Sequence, residues 1–151
     1  MVCTPRTTRS SRAIVAIAAI VGCWMATPSR ASGPSVSTAT YLVQLQAGGC
    51  AASAECTATL SVETKGGATL DPSQPLVFEA KQPWPRGLTY TKTPLKRVDG
   101  RFDEKKGTLP VGFTAAKAGK VWIGGTFSMS VCTASSCIME KVDLALEVEV
   151  K

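Results

Sequence analysis

Histidine is absent from this chain of 151 residues, and aromatic residues make up only 6% of it. The lack of histidine excludes Ser-His-Asp and Cys-His catalysis, histidine-ligated zinc or haem, and a histidine pH switch. We also find no carboxylate pair with catalytic spacing, no phosphate-binding glycine loop and no nucleophile elbow. Cysteine, of which the chain has 6, is therefore the main remaining source of covalent chemistry.

The charge of the chain is moderate, with a formal net charge of +6. Three of its 17 basic residues, Arg6, Arg9 and Arg12, lie in an N-terminal segment that we expect to be removed. From Cys23 onward, 14 basic residues face 11 acidic ones, which leaves a charge of about +3. Such a small excess does not indicate nucleic-acid binding. Six cysteines are many for a cytosolic protein of this size but ordinary for an exported one.

Residues 1–22 have the organisation of an export signal. The three arginines precede an apolar run, Ala13 to Gly22, which is too short to span a bilayer but has the length of a signal-peptide core. The following stretch, Ile20-Val21-Gly22-Cys23, resembles the lipobox of bacterial lipoproteins. The resemblance implies cleavage before Cys23 and attachment of lipid to its thiol. The alternative is ordinary cleavage after Ala31, which would give a soluble periplasmic or secreted protein.

The residue after Cys23 also bears on location, because it is Trp24 and not aspartate. By the same resemblance, this favours the periplasmic face of the outer membrane, with the lipid as membrane anchor. Residues 23–38 are rich in proline, serine and glycine and are expected to form a flexible tether. Residues 39–151 are expected to form one domain.

The domain shows alternation of apolar and polar residues with period two and no convincing helical periodicity. Glycine and proline turn signals separate the alternating segments. Seven short strands at this spacing predict an all-β fold, an immunoglobulin-like β-sandwich. The seven predicted strands are residues 41–46, 57–63, 76–80, 88–91, 108–114, 120–131 and 137–150.

Four cysteines lie inside the domain as two local pairs, Cys50 with Cys56 and Cys132 with Cys137. Four cysteines allow three connectivities, and local pairing is the simplest because each pair flanks a predicted hairpin turn. Cross-pairing would require the two loops to meet at one end of the sandwich. We expect the first pair to be a structural disulfide that closes a short loop.

The alternation of side chains along the strands indicates which face of the sheet the second pair of cysteines occupies. Counting along the last two strands puts both Cys132 and Cys137 on the polar side, opposite the face that carries Val142 and Leu144. Two outward cysteines at the base of a four-residue turn can form a cross-strand disulfide that is open to solvent. The residues alone leave open a permanent disulfide, an exchanging dithiol/disulfide, or a metal site.

The last third of the domain has a recognisable order of motifs: Thr108-Leu109-Pro110-Val111, then Ala118-Gly119-Lys120-Val121, then a strand from Phe127 that ends in Cys132-x4-Cys137. This order resembles the N-terminal periplasmic domain of the thiol:disulfide interchange protein DsbD and its relatives. The resemblance implies an immunoglobulin-like fold in which Cys132 and Cys137 pass electrons between a membrane donor and periplasmic oxidoreductases. It implies no bound cofactor or metal.

The leading functional hypothesis is an exported thiol–disulfide exchange module, an oxidoreductase-like electron relay that uses Cys132 and Cys137. The sequence contains no membrane-embedded electron-transfer module, so a reductant would be a separate protein. The alternative is a non-enzymatic structural or ligand-binding lipoprotein with two fixed disulfides. The two hypotheses differ in whether the Cys132–Cys137 bond can be reduced in the folded domain.

Overall fold

The computed structural model describes residues 34–151, which form two antiparallel β-sheets packed face to face. The predicted export signal, the lipidation site Cys23 and residues 23–33 of the predicted tether lie outside the described residues. The strands are β1 (Ser35–Ser37), β2 (Tyr41–Ala47), β3 (Glu55–Thr64), β4 (Thr69–Leu70), β5 (Val77–Ala80), β6 (Leu88–Tyr90), β7 (Leu95–Lys96), β8 (Arg101–Phe102), β9 (Lys106–Ala115), β10 (Gly119–Cys132) and β11 (Cys137–Val150). A single 3-10 turn, Arg97–Asp99, joins β7 to β8.

The strand order identifies the type of sandwich. One sheet runs β1-β2-β3-β9-β6, with β8 also paired to β9, and the other runs β11-β10-β5-β7, with β4 also paired to β10. The seven main strands therefore form a β2-β3-β9-β6 sheet opposite a β11-β10-β5 sheet. This is the ABED and GFC arrangement of a constant-type immunoglobulin domain. The predicted all-β, immunoglobulin-like sandwich is confirmed.

The core lies between the two sheets and follows the period-two pattern of the sequence. In β3, the side chains of Cys56, Ala58, Leu60 and Val62 are buried, while the threonines between them face solvent. The largest fully buried side chains are Phe78, Phe113 and Phe127, which come from β5, β9 and β10. Because these aromatics come from both sheets, their burial fixes the sheets against each other.

Four short strands were not expected from the sequence: β1, β4, β7 and β8. Strands of two or three residues are too short to show alternation, so their pairing depends on neighbours that are distant in sequence. Strand β1 extends the domain into residues assigned to the tether. It pairs with β2, and the Leu45 amide donates to the Pro34 carbonyl at 2.6 Å. The folded domain therefore begins before the predicted boundary at residue 39.

The sandwich has two ends that matter for function. The hairpin end holds the turn between β10 and β11, residues 133–136, and the turn after β4. The terminal end holds the loops 48–54, 81–87 and 116–118. At this end the Lys151 amide donates to the Cys50 carbonyl at 2.9 Å, and the Ser53 amide donates to the Ala115 carbonyl at 2.8 Å. In residues 34–151, no helix is both long and apolar enough to cross a membrane.

Candidate functional site: an exposed disulfide beside a carboxylate

The hairpin of β10 and β11 places Cys132 directly opposite Cys137, as the last strand pair before the turn. The next pair of residues towards the turn, Thr133 and Ser136, is hydrogen-bonded, since the Thr133 amide donates to the Ser136 carbonyl at 2.8 Å. The cysteines therefore occupy a non-hydrogen-bonded position, where opposite Cα atoms come closest. Their Cα atoms are 3.9 Å apart, and their sulfurs form a disulfide.

Burial around this disulfide follows the parity that the sequence predicts. Cys137 is exposed and Cys132 is half-buried, whereas the neighbouring Met129 and Val131 are buried in the core. Two apolar side chains beside the disulfide also face solvent: Ile138 is 56% exposed and Met139 is 51% exposed. The disulfide thus lies on an open, partly apolar surface that a partner protein can contact.

A carboxylate lies against this disulfide. Strand β4 pairs with the end of β10, and the Asp71 amide then donates to the Ser130 carbonyl at 3.0 Å. This pairing brings a carboxylate oxygen of Asp71 and the sulfurs of Cys132 and Cys137 to within 4.8 Å of one another. In the sequence, Asp71-Pro72 is a turn signal and the start of a weaker stretch of the DsbD-like resemblance, and neither places it beside the cysteines. The contact of Asp71 with the cysteines depends on the β4–β10 pairing, which no local pattern predicts.

The carboxylate of Asp71 is held in its ionised form. Its Oδ1 atom accepts hydrogen bonds from the Ser73 hydroxyl at 2.6 Å and from the Ser73 amide at 2.9 Å. The hydroxyl bond, then the amide bond, and more weakly the charge of Arg97, lower the pKa of Asp71 below 3.8. A negative charge is therefore present beside the disulfide throughout the neutral pH range.

Arg97 supports the Asp71 turn from the other side. Its Nη2 atom donates to the Asp71 carbonyl at 2.7 Å, and its guanidinium carbon lies 5.7 Å from the centre of the Phe102 ring. The ring occupies the space over Gly107, where an added Cβ would come within 1.9 Å of it. Asp99, at the end of the 3-10 turn, accepts from the Lys96 amide at 2.8 Å. The basic segment around Arg97 is thus fixed by its own hydrogen bonds.

The second disulfide, Cys50–Cys56, has a different environment. Both residues are only 5% exposed, and their Cα atoms are 5.4 Å apart. Cys50 also forms a bridge with Val150, so the loop that it closes is tied to the last strand. The predicted local pairing of the cysteines is confirmed for both disulfides. The polar atoms recorded beside the sulfurs of Cys50 and Cys56 are the backbone carbonyl oxygens of Ala51 and Ala54.

Asp71, Cys132 and Cys137 together have the composition of a metal-ligand set. In the disulfide state, however, the sulfurs are not thiolates, and thiolate is the form that binds metals. What the arrangement can do in this state is accept attack by an external thiolate on an exposed sulfur. No protein-family model matches the chain, and no match is found among curated proteins. The functional interpretation therefore depends on the geometry of the described residues.

Proposed function

We propose that this chain is an exported thiol–disulfide exchange module in which Cys132 and Cys137 are the exchanging pair. The observation that carries the proposal is the contrast between the two disulfides. Cys137 is exposed at the hairpin end, whereas Cys50 and Cys56 are buried at the terminal end. Accessible disulfides are the ones that exchange, while buried ones in exported domains are mostly structural.

The exposure of Cys137 sets the order of the exchange. A thiolate of a partner dithiol attacks the Cys137 sulfur, a mixed disulfide forms, and Cys132 leaves as a thiolate that takes up a proton. The second cysteine of the partner, as a thiolate, then attacks the partner's sulfur in the mixed disulfide. Cys137 leaves as a thiolate and takes up a proton. Two electrons and two protons enter the domain, and the partner becomes a disulfide. The reverse sequence delivers them to an acceptor.

Asp71 influences this chemistry through its charge. An ionised carboxylate near a thiol disfavours the thiolate and raises the thiol pKa. The reduced pair is therefore held mainly as thiols, which react slowly with small oxidants. A docked partner that brings a positive charge beside Asp71 would offset this effect. The carboxylate thus favours exchange within a specific complex over random oxidation.

The proposal extends to location and partners. The lipobox-like stretch before Cys23 supports a lipid anchor at the periplasmic face of the outer membrane. The partners would be a membrane electron donor and a periplasmic oxidoreductase, as in the DsbD-like domains that residues 108–137 resemble. The exposed Met139, which lies on the same face of β11 as Cys137, provides apolar contact area for such a partner beside the reactive sulfur.

A second candidate function is a non-enzymatic binding module with two fixed disulfides. Both disulfides are formed, which is compatible with it. An open cavity of about 530 Å³ on the outer side of the first sheet favours a ligand site. Leu42 and Phe102 contribute to its apolar wall, and its charged residues are Glu63, Arg101, Asp103 and Lys106.

A redox titration separates the two functions. The folded domain would be equilibrated in graded glutathione buffers, its free thiols alkylated, and the modified cysteines located by mass spectrometry. We expect Cys132 and Cys137 to titrate together at a potential above about −300 mV, while Cys50 and Cys56 stay oxidised. If both pairs resist reduction until the domain unfolds, the exchange function is wrong and the binding module remains.

A trapping experiment tests the order of attack. The partner would be a thioredoxin-like protein with a single active-site cysteine, carried as a mixed disulfide with thionitrobenzoate. In Cys132→Ser the remaining Cys137 thiolate should attack the sulfur of that partner cysteine and release thionitrobenzoate, which leaves a stable mixed disulfide between the two proteins. In Cys137→Ser the half-buried Cys132 should trap the same partner much more slowly. Equal trapping by the two variants would contradict the assignment of Cys137 as the attacked residue.

A further inference from the structure

The terminal end of the sandwich carries a group of exposed cations. Arg86, Lys117 and Lys120 line one open cavity of about 390 Å³, whose remaining wall is formed mainly by glycine and alanine. Lys81 is exposed at the start of the loop that ends with Arg86 and Gly87. The Ala116 amide donates to the Gly87 carbonyl at 2.8 Å, which joins this loop to the one that carries Lys117.

Most of these cations lack an acidic partner. Lys120 pairs with Glu147 at 2.8 Å, and the other ion pair in residues 34–151 is Lys92–Asp99. Lys81, Arg86 and Lys117 make no ion pair within that range. The two loops, residues 81–87 and 116–118, contain no acidic residue, and the acids on the strands that flank them are Glu55, Glu79, Glu147 and Glu149. The loops therefore present net positive charge to solvent.

A large aromatic side chain lies beside this charge. Trp122 is 56% exposed near the start of β10, and with Lys81 and the exposed Pro83 and Pro85 it lines an adjoining cavity of about 210 Å³. Tryptophan next to lysine and arginine is the combination that membrane–water interfaces favour, because the ring inserts at headgroup depth while the cations contact lipid phosphates.

The first described residue, Pro34, lies towards the same end of the sandwich. Strand β1 runs antiparallel to β2, and Pro34 lies opposite Leu45, two residues from the end of β2 at the terminal end. The stretch from Cys23 to Gly33 can extend over at most about 40 Å. If Cys23 carries a lipid, this length keeps the terminal end within reach of the membrane surface.

From these observations we infer that the terminal end of the sandwich is a docking surface for a membrane leaflet that contains anionic lipids. Lys81, Arg86 and Lys117 would contact lipid phosphates, and Trp122 would enter the headgroup layer. The Cys132–Cys137 disulfide lies at the opposite end of the β10–β11 hairpin. Docking in this way directs the disulfide away from the bilayer, towards partners in the surrounding compartment.

The test uses the chain from Ser32 to Lys151, which is the product of the alternative cleavage and carries no lipid. It contains all eleven described strands, the core and both disulfides, so it has what it needs to fold alone. Binding would be measured by cosedimentation with vesicles of phosphatidylcholine and with vesicles that also contain phosphatidylglycerol. We expect binding only to the anionic vesicles, weakened by salt, with a blue shift in Trp122 emission.

Two variants of equal net charge locate the surface. Arg86→Gln with Lys117→Gln should weaken binding by about five-fold for each charge removed, which corresponds to about 1 kcal/mol per charge. Lys96→Gln with Lys141→Gln removes two exposed charges away from the terminal end and should leave binding unchanged. Trp122→Thr should weaken binding and remove the emission shift.

Three results would overturn the inference: no binding at low salt, equal binding to both vesicle types, or equal weakening by the two double variants. Circular dichroism of each variant would show that it is folded, so none of these results could be attributed to misfolding. Because the measurement needs no redox chemistry, its failure is independent of whether Cys132 and Cys137 exchange.

Discussion

Asp71 and Cys132 are brought together by the pairing of β4 with β10, which places a carboxylate oxygen and a sulfur within 4.8 Å of each other. The hydroxyl and amide of Ser73 keep that carboxylate ionised. Any reduction of the Cys132–Cys137 disulfide therefore creates thiols beside a fixed negative charge, and the reactivity of these thiols depends on it.

The first prediction concerns this charge. In the reduced domain, Asp71→Asn should lower the pKa of the neighbouring thiol, because the neutral amide no longer disfavours the thiolate. The amide oxygen can still accept the hydrogen bonds from Ser73, so the turn should persist. The pH dependence of alkylation by iodoacetamide should shift to lower pH. Asp103→Asn is the matched control, since Asp103 accepts the Lys105 and Lys106 amides in a similar turn away from the cysteines. An unchanged alkylation profile in Asp71→Asn would contradict the proposed role.

The second prediction compares the two disulfides. A disulfide that closes a loop of this length contributes about 2 kcal/mol to the free energy of unfolding through chain entropy alone. Cys50→Ala with Cys56→Ala also removes buried sulfur atoms, so it should lower the free energy of unfolding by about 2–4 kcal/mol. Cys132→Ala with Cys137→Ala should cost less, because Cys137 is exposed and the β10–β11 ladder already closes the turn. Urea unfolding measures the free energy of unfolding of both double variants. A larger loss in the Cys132/Cys137 variant than in the Cys50/Cys56 variant would contradict the structural assignment of Cys50–Cys56.

The third prediction concerns pH. The pKa values of Asp71, Asp99 and Asp103 are all lowered from 3.8, chiefly by hydrogen bonds from Ser73, from Lys92 and Lys96, and from the Lys105 and Lys106 amides. Their stabilisation is present above pH 3.8 and is lost as the pH falls through the lowered values. Since the chain has no histidine, thermal stability should be nearly constant from about pH 5 to 8 and should fall below about pH 4.

A variant with Asp99→Asn and Asp103→Asn tests the cause of this acid sensitivity. It should lose less stability than the parent between about pH 4 and pH 2, because two of the three carboxylates no longer titrate. Thermal unfolding followed by circular dichroism gives both profiles. A loss of stability that begins near pH 6 would show that other groups control the transition.

The fourth prediction concerns the packing of β10 against β5. A Cβ added at Gly125 would lie 2.1 Å from the Glu79 carbonyl oxygen, so the backbone would have to shift. Gly125→Ala should therefore destabilise the domain by about 1–3 kcal/mol or more. Gly48→Ala is the control: a Cβ at Gly48 meets nothing within 4 Å, so the change should be within about 0.5 kcal/mol. Similar unfolding midpoints for the two variants would contradict this account.

The sequence was sufficient to predict the seven main strands, the sandwich and the orientation of the last two cysteines. The long strands, such as β10 and β11, show period-two alternation within a single segment, which also gives the orientation of the two cysteines. The short β5 and β6 were predicted as extended runs on either side of a proline-rich loop. The local pairing of Cys50 with Cys56 was also predictable, because both residues flank one short loop.

The chemical setting of the disulfide could not be predicted in the same way. Asp71 meets Cys132 only because a two-residue strand pairs with β10, and Arg97 reaches the Asp71 carbonyl from a 3-10 turn. Neither contact has a local pattern in the sequence. The cations of the terminal end are likewise dispersed, since Arg86 and Lys117 come together only when their loops pack.

The length of the β10–β11 hairpin has a consequence for the choice of partner. Each strand has 14 residues, and at about 3.3 Å per residue the hairpin extends over up to about 45 Å. If the terminal end contacts a membrane, the length of the hairpin determines the distance between the membrane surface and the disulfide. A donor would then need cysteines at a matching height, and one whose cysteines stay within the bilayer could not reach Cys137.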